Sequence, residues 1–196
     1  MGTMLPAPNV ATRRARREVV PSGVLGMLVF VCAELMFFAG LISAFTISKA
    51  GALPGMWRLP TDPLLPAAAT AVNTVALFAS GALVFVAWRR HAQGRPASVV
   101  MGWALAFGIA FVVLQGREWM GLLAQGVTLR SSALGSFFYL IVGTHALHAV
   151  SALVALSIAW WRLRAGTLQT GFFLGVQTFW YFVVGVWPVI YGRVYF

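Results

Sequence analysis

Residues 22–47 read SGVLGMLVFVCAELMFFAGLISAFTI, and Glu34 is their single charged side chain. At about 1.5 Å per residue, a helix of this length crosses the ~30 Å hydrocarbon layer of a bilayer. Four further runs have the same character: about 64–88, 98–123, 133–161 and 171–194. Inside lipid only helices and closed barrels satisfy their backbone groups. None of the runs shows the period-2 alternation that barrel strands require, so all five are predicted as helices. The expected architecture is all-α: a basic tail over 1–21, then a transmembrane domain over 22–196 that forms a bundle of five spans.

Composition agrees with this reading. Of 196 residues, 60% are hydrophobic and 9% charged, against roughly 45–50% and about 25% in ordinary soluble proteins. Four acidic residues cannot dress the surface of a soluble globule, and the hydrophobicity excludes disorder. The net charge of +10 would suggest nucleic acid in a soluble chain. Here the basic residues fall mainly between the apolar runs, so no nucleic-acid partner is expected. Arg13, Arg14, Arg16 and Arg17 read instead as anchors on anionic lipid at the cytoplasmic face.

The links carry turn chemistry. Segment 48–63 contains Gly51, Pro54, Gly55, Pro60 and Pro63, and segments 89–97, 124–132 and 162–170 are short and polar. Short links predict that sequential helices lie side by side. Counting Lys and Arg gives one side Arg13, Arg14, Arg16, Arg17, Arg89, Arg90, Arg95, Arg162 and Arg164. The other has Lys49, Arg58, Arg130 and Arg193, with Arg117 nearby. The positive-inside rule then predicts a cytoplasmic N-terminus and an outer C-terminus. No cleavable signal peptide is expected, and the single Cys32 excludes an intrachain disulfide. Gly40/Ala44, Gly102/Ala106 and Gly171/Gly175 have the small-xxx-small spacing of packed membrane helices. Trp57, Trp119, Trp160, Trp161 and Trp187 fall near span ends and are read as an aromatic belt.

Ionisable groups inside spans are the candidates for function, because lipid penalises them. Glu34 lies near the middle of the first span. His145 and His148 lie at similar depth in the fourth, three residues apart and so on one helix face. A polar packing cluster of the two histidines is expected, with Glu34 the candidate third member. They are too few for a di-haem or metal site, and no catalytic, metal-binding or cofactor-binding constellation is found. Arg117 and Glu118 sit near the outer end of the third span, where an interfacial anchor or subunit contact fits.

Several segments resemble a known family. Glu34-Leu35-Met36-Phe37-Phe38-Ala39-Gly40 is similar to a signature of subunit III of haem-copper oxidases. Asn73-Thr74 with Ser80-Gly81, Gln115-Gly116-Arg117-Glu118-Trp119, Gly135-Ser136-Phe137-Phe138-Tyr139 and Gly143-Thr144-His145-Ala146-Leu147-His148 resemble its later motifs in order. Trp180, Phe182, Val183, Trp187 and Tyr191 resemble its last helix. Tyr181, Val184 and Leu174 depart from it, standing where the family usually has His, Asp and Glu. The resemblance is to the short five-helix bacterial form.

That resemblance implies an accessory subunit in the bacterial inner membrane that carries no haem or copper. Those groups would sit in partner subunits I and II of a proton-pumping, oxygen-reducing complex. The subunit would be non-catalytic alone, would hold phospholipid in a helical cleft and would support proton uptake. It could belong to a larger respiratory supercomplex. Glu34, His145, His148 and Glu118 would be structural or lipid-cleft groups, and Arg58 and Arg117 outer headgroup or subunit contacts. An accessory subunit of nitric oxide reductase and an independent proton or solute transporter are the alternatives. The sequence leaves the electron donor open, cytochrome c or quinol.

Overall fold

A computed structural model describes residues 22–53, 56–57, 63 and 65–196. Five helices account for nearly all of it: α1 (Ser22–Gly51), α2 (Ala67–Ala92), α3 (Ser98–Ala124), α4 (Ala133–Arg164) and α5 (Thr170–Val194). Each is long and apolar enough to cross a membrane, and no strand occurs among the described residues. The five predicted spans are therefore helices. Most run past the apolar boundary: α1 continues through Lys49, α2 through Arg89, Arg90 and His91, and α4 through Arg162 and Arg164. Backbone hydrogen bonding does not stop where hydrocarbon does, and basic residues suit the negative end of a helix. The tail residues Arg13, Arg14, Arg16 and Arg17, and Arg58 in the α1–α2 link, lie outside the described residues.

Helix order in space departs from the expected pattern at one point. Neighbours in sequence pack together from α2 onward, but α1 lies against α5 and the edge of α4 and does not touch α2. The α1–α2 link is the long one, and its Trp57 crosses to α4. Its carbonyl accepts the Leu134 N–H at 3.0 Å, and its ring packs on Phe45 and Phe137. The other links are tight. After α2 and α4, Gly94 and Gly166 adopt φ of 67° and 69°. The following N–H groups of Arg95 and Thr167 then bond back to the carbonyls of Arg90 and Arg162. A side chain at either glycine would be strained in that left-handed conformation.

The most buried helix is α5, which touches α1, α2 and α4. Val184 packs over Gly81, with a methyl 3.4 Å from where a Cβ on that glycine would stand. The α2–α3 hairpin is fastened by Ser80, whose Oγ donates to the Ala104 carbonyl at 2.7 Å. Trp160 of α4 fastens α3 by donating from Nε1 to the Ser98 carbonyl at 2.8 Å.

Of the small-residue pairs, only part packs as anticipated. Gly102 faces Trp160, and Gly175 is buried, but Gly40 and Ala44 are both exposed on the outer side of α1. Spacing alone does not tell which way a uniformly apolar helix turns. The closest approaches occur elsewhere. A Cβ on Gly108 would stand 2.7 Å from Leu153 and 3.1 Å from Trp180.

Gly135, in the first turn of α4, leaves still less room. Its N–H is received by the capping hydroxyl of Ser132 at 3.1 Å. A Cβ there would stand 2.5 Å from the Thr128 carbonyl oxygen. Backbone must move to admit it, so Gly135→Ala is expected to destabilise the fold by about 1–3 kcal/mol, as overpacking does. Unfolding in bicelles measures this, and an unchanged midpoint would contradict it.

Candidate functional site

Glu34 lies 12 residues along α1, about 18 Å from its start, and His148 lies 15 along α4, about 22 Å from its start. Both therefore sit near mid-helix, and the α1–α4 contact brings them together. Glu34 Oε2 is 3.1 Å from His148 Nε2. The other imidazole nitrogen, Nδ1, is 2.8 Å from the Thr144 carbonyl. A carbonyl only accepts, so Nδ1 carries a proton. The carboxylate faces Nε2, so the two ionisable groups are each other's partners. That is an economical way to keep two ionisable groups in a low-dielectric layer.

Aromatic rings enclose this pair on its inner side. Phe38, one helical turn beyond Glu34, is buried and approaches His148 at 5.5 Å and His145 at 6.2 Å, edge-on to both. Phe182 of α5 lies 5.7 Å from His148, and Phe179 lies 6.3 Å away. Outward, Glu34 and His148 face an open groove of about 560 Å³ between α1 and α4, walled by Phe30, Phe37, Leu147 and Phe179. The groove is mostly apolar along its walls, with Thr144 and Ser151 lining it beside this pair.

His145 does not join the pair. It is fully buried and stacks on Trp187 at 5.1 Å. Three residues on a helix subtend about 300°, so the two imidazoles diverge by some 60°. That angle suffices to put one at the groove and the other inside the bundle. Trp187 is also fully buried, which corrects its assignment to an interfacial belt. Its Nε1 donates to Thr74 Oγ1 at 2.9 Å, its ring meets Phe111 at 5.1 Å, and Thr74 in turn donates to the Thr70 carbonyl. Trp119 turns inward too, against Phe138 and Tyr139, while Trp161 is exposed.

Gln115 donates from Nε2 to the Tyr195 hydroxyl at 3.0 Å, closing α3 onto the end of α5. Arg117 is exposed, Glu118 is half-buried, and neither forms an ion pair among the described residues. Tyr181 accepts from Gln177 Nε2 at 2.9 Å within its own helix, and Leu174 offers its carbonyl to Thr178. Phe38, Thr74 and Gln115–Tyr195 were not anticipated as partners of the buried polar groups. The only advance signal was the position of Phe38 one turn from Glu34, on the same face.

Among the described residues, no three His, Cys, Asp or Glu side chains converge as metal ligands would. Paired polar groups inside a bundle of five apolar helices define a class: a multi-pass helical membrane protein. The chain matches the family described as cytochrome c oxidase subunit III over residues 11–196. The probable cytochrome c oxidase subunit 3 of Nocardia farcinica is 31% identical to it, over 100% of this chain and 99% of that protein. Its counterpart in Mycobacterium leprae is 34% identical, over 88% and 86%. Cytochrome c oxidase subunit 3 of Lemur catta is 30% identical, over 91% of this chain and 68% of that longer protein. The chain belongs to the cytochrome c oxidase subunit III family.

Proposed function

We propose that this chain is the accessory subunit III of a bacterial haem-copper terminal oxidase, resident in the inner membrane. It has no redox step of its own and packs beside the subunits I and II that carry haem and copper. Its N-terminus is cytoplasmic, so the ends bearing Arg89, Arg90, Arg95, Arg162 and Arg164 meet the inner headgroups, where the tail arginines Arg13, Arg14, Arg16 and Arg17 also lie. Arg117 and Arg58 meet the outer headgroups or a partner subunit, and Glu118 is a structural or lipid-cleft group.

The observation that carries this reading is the Glu34–His148 pair at the mouth of an apolar groove, in a chain that matches the subunit III family over nearly its whole length. The groove suits phospholipid acyl chains. Its polar pair fixes α1 to α4. Support for the oxidase over a nitric-oxide-reductase association comes from the relatives, which are named as probable cytochrome c oxidase subunits.

Mild-detergent purification through a tag on this chain tests the proposal. Haem-copper subunits I and II should co-purify, with a haem difference spectrum and oxygen consumption. The donor that supports turnover then identifies the complex as a cytochrome c or a quinol oxidase. A chain that arrives haem-free after cross-linking has preserved native contacts, or that moves protons alone in liposomes, would overturn it.

A further inference from the structure

A cavity of about 150 Å³ lies between α3, α4 and α5, away from the α1–α4 groove. Phe111, Gly116 and Trp119 wall it from α3, Ala146 and Ala149 from α4, and Trp187 from α5. Phe111, Ala149 and Trp187 are buried, whereas Gly116 and Ala146 are half-buried, so the cavity reaches towards the bilayer along the α3–α4 seam. Small residues usually let membrane helices close up. Here they leave a gap instead, and a Cβ on Gly116 would meet nothing within 4 Å. The rings nearby are committed elsewhere, Trp119 to Phe138 and Tyr139, and Trp187 to His145 and Thr74.

The surface that faces the cavity is almost wholly carbon. The unpartnered polar atoms of Gln115, Trp119 and His145 are closed off inside the packing and do not open into it. A water needs two to four polar partners, and none faces this space, so the cavity is dry. An engineered cavity of about this size in another protein, lined by aliphatic and aromatic side chains, stays dry and takes up benzene or xenon. Inside a bilayer the drive for such uptake is dispersion, because hydrocarbon is already as apolar as the wall. Atoms that line a void lack neighbours on one side. A guest restores those contacts, and it need not open a space for itself as it must among acyl chains.

We propose that this cavity is a binding site for one small apolar molecule dissolved in the bilayer, a gas atom, a diatomic gas or a compact hydrocarbon with no hydrogen-bonding group. A whole acyl chain is too large for it. The site belongs to this chain's own helices and does not depend on the oxidase reading.

Xenon is the probe. Crystals of the intact assembly, or of the full chain in a lipidic mesophase, are pressurised with xenon and the anomalous difference map is read. A peak should lie among Phe111, Ala149 and Trp187. Ala146→Leu, which replaces a methyl at the wall by an isobutyl group, should lower the occupancy of that peak several-fold while xenon sites elsewhere in the crystal persist. If the variant does not assemble, the wild-type map decides alone. A wild-type cavity without xenon, or one filled by an acyl chain, a partner side chain or ordered water, would overturn the proposal, as would undiminished occupancy in Ala146→Leu.

Discussion

Trp187→Ala is expected to destabilise the bundle by about 3 kcal/mol, near the lower end of the range for truncating a buried aromatic. The indole is fully buried, stacks on His145, meets Phe111 edge-on and donates to Thr74. It thus touches three other helices from α5. In a soluble protein, truncation forfeits both transfer from water and packing. In a bilayer the separated helices still lie in lipid, which is as apolar as the core, so most of the transfer term vanishes and packing remains. That is why the lower end applies. Trp187→Phe keeps most of the ring, loses the hydrogen bond to Thr74, and should cost about 1 kcal/mol. Steric trapping or denaturant titration in bicelles measures both. A loss below that of Trp187→Phe would mean that Trp187 faces lipid after all.

Hydrocarbon thickness made the spans legible. A run of apolar residues of that length has few other uses, and five such runs became five helices. The arrangement of the helices was less legible, for a physical reason. A lipid-exposed helix is apolar on every side, so nothing in the run 22–47 tells which face of α1 meets α5 and which meets lipid. Short polar links predicted the α2–α3, α3–α4 and α4–α5 neighbours. The longer link 52–66, long enough to cross a neighbour, hid the placement of α1. Depth along the helices brought Glu34 and His148 together on paper, since polar groups at matching depth must find one another. It could not separate His145 from His148, because the outcome turns on a 60° difference about the α4 axis. Trp187 was misread because distance from a span end says nothing about facing. Tryptophan suits an interface and a packed interior equally, and only the neighbours Thr74 and His145 distinguish the two.

The substitutions at Glu34 should rank by how well each replaces the partner that Glu34 gives His148 Nε2. Because Nδ1 of His148 donates to the Thr144 carbonyl, Nε2 needs either a donor or a counter-charge opposite it. Glu34→Gln provides a fixed N–H donor and no charge, so the stability change should stay within about 0.5 kcal/mol, as for a benign replacement. Glu34→Leu leaves Nε2 unpaired at mid-membrane and should cost about 1–2 kcal/mol, the upper range for interhelical hydrogen bonds in bilayers. Glu34→Lys can still donate, but it brings an uncompensated cation near the helix centre, and the expected loss is about 2.5–3.5 kcal/mol. Pairing Glu34→Leu with His148→Leu removes both polar ends together, so the double variant should lose less than the sum of the two single losses. Stability in bicelles and retention of the chain in the purified assembly are the readouts. A Glu34→Gln variant as damaged as Glu34→Leu would mean that the pair needs a full negative charge. Additive losses in the double variant would mean that the 3.1 Å contact carries no energy at all.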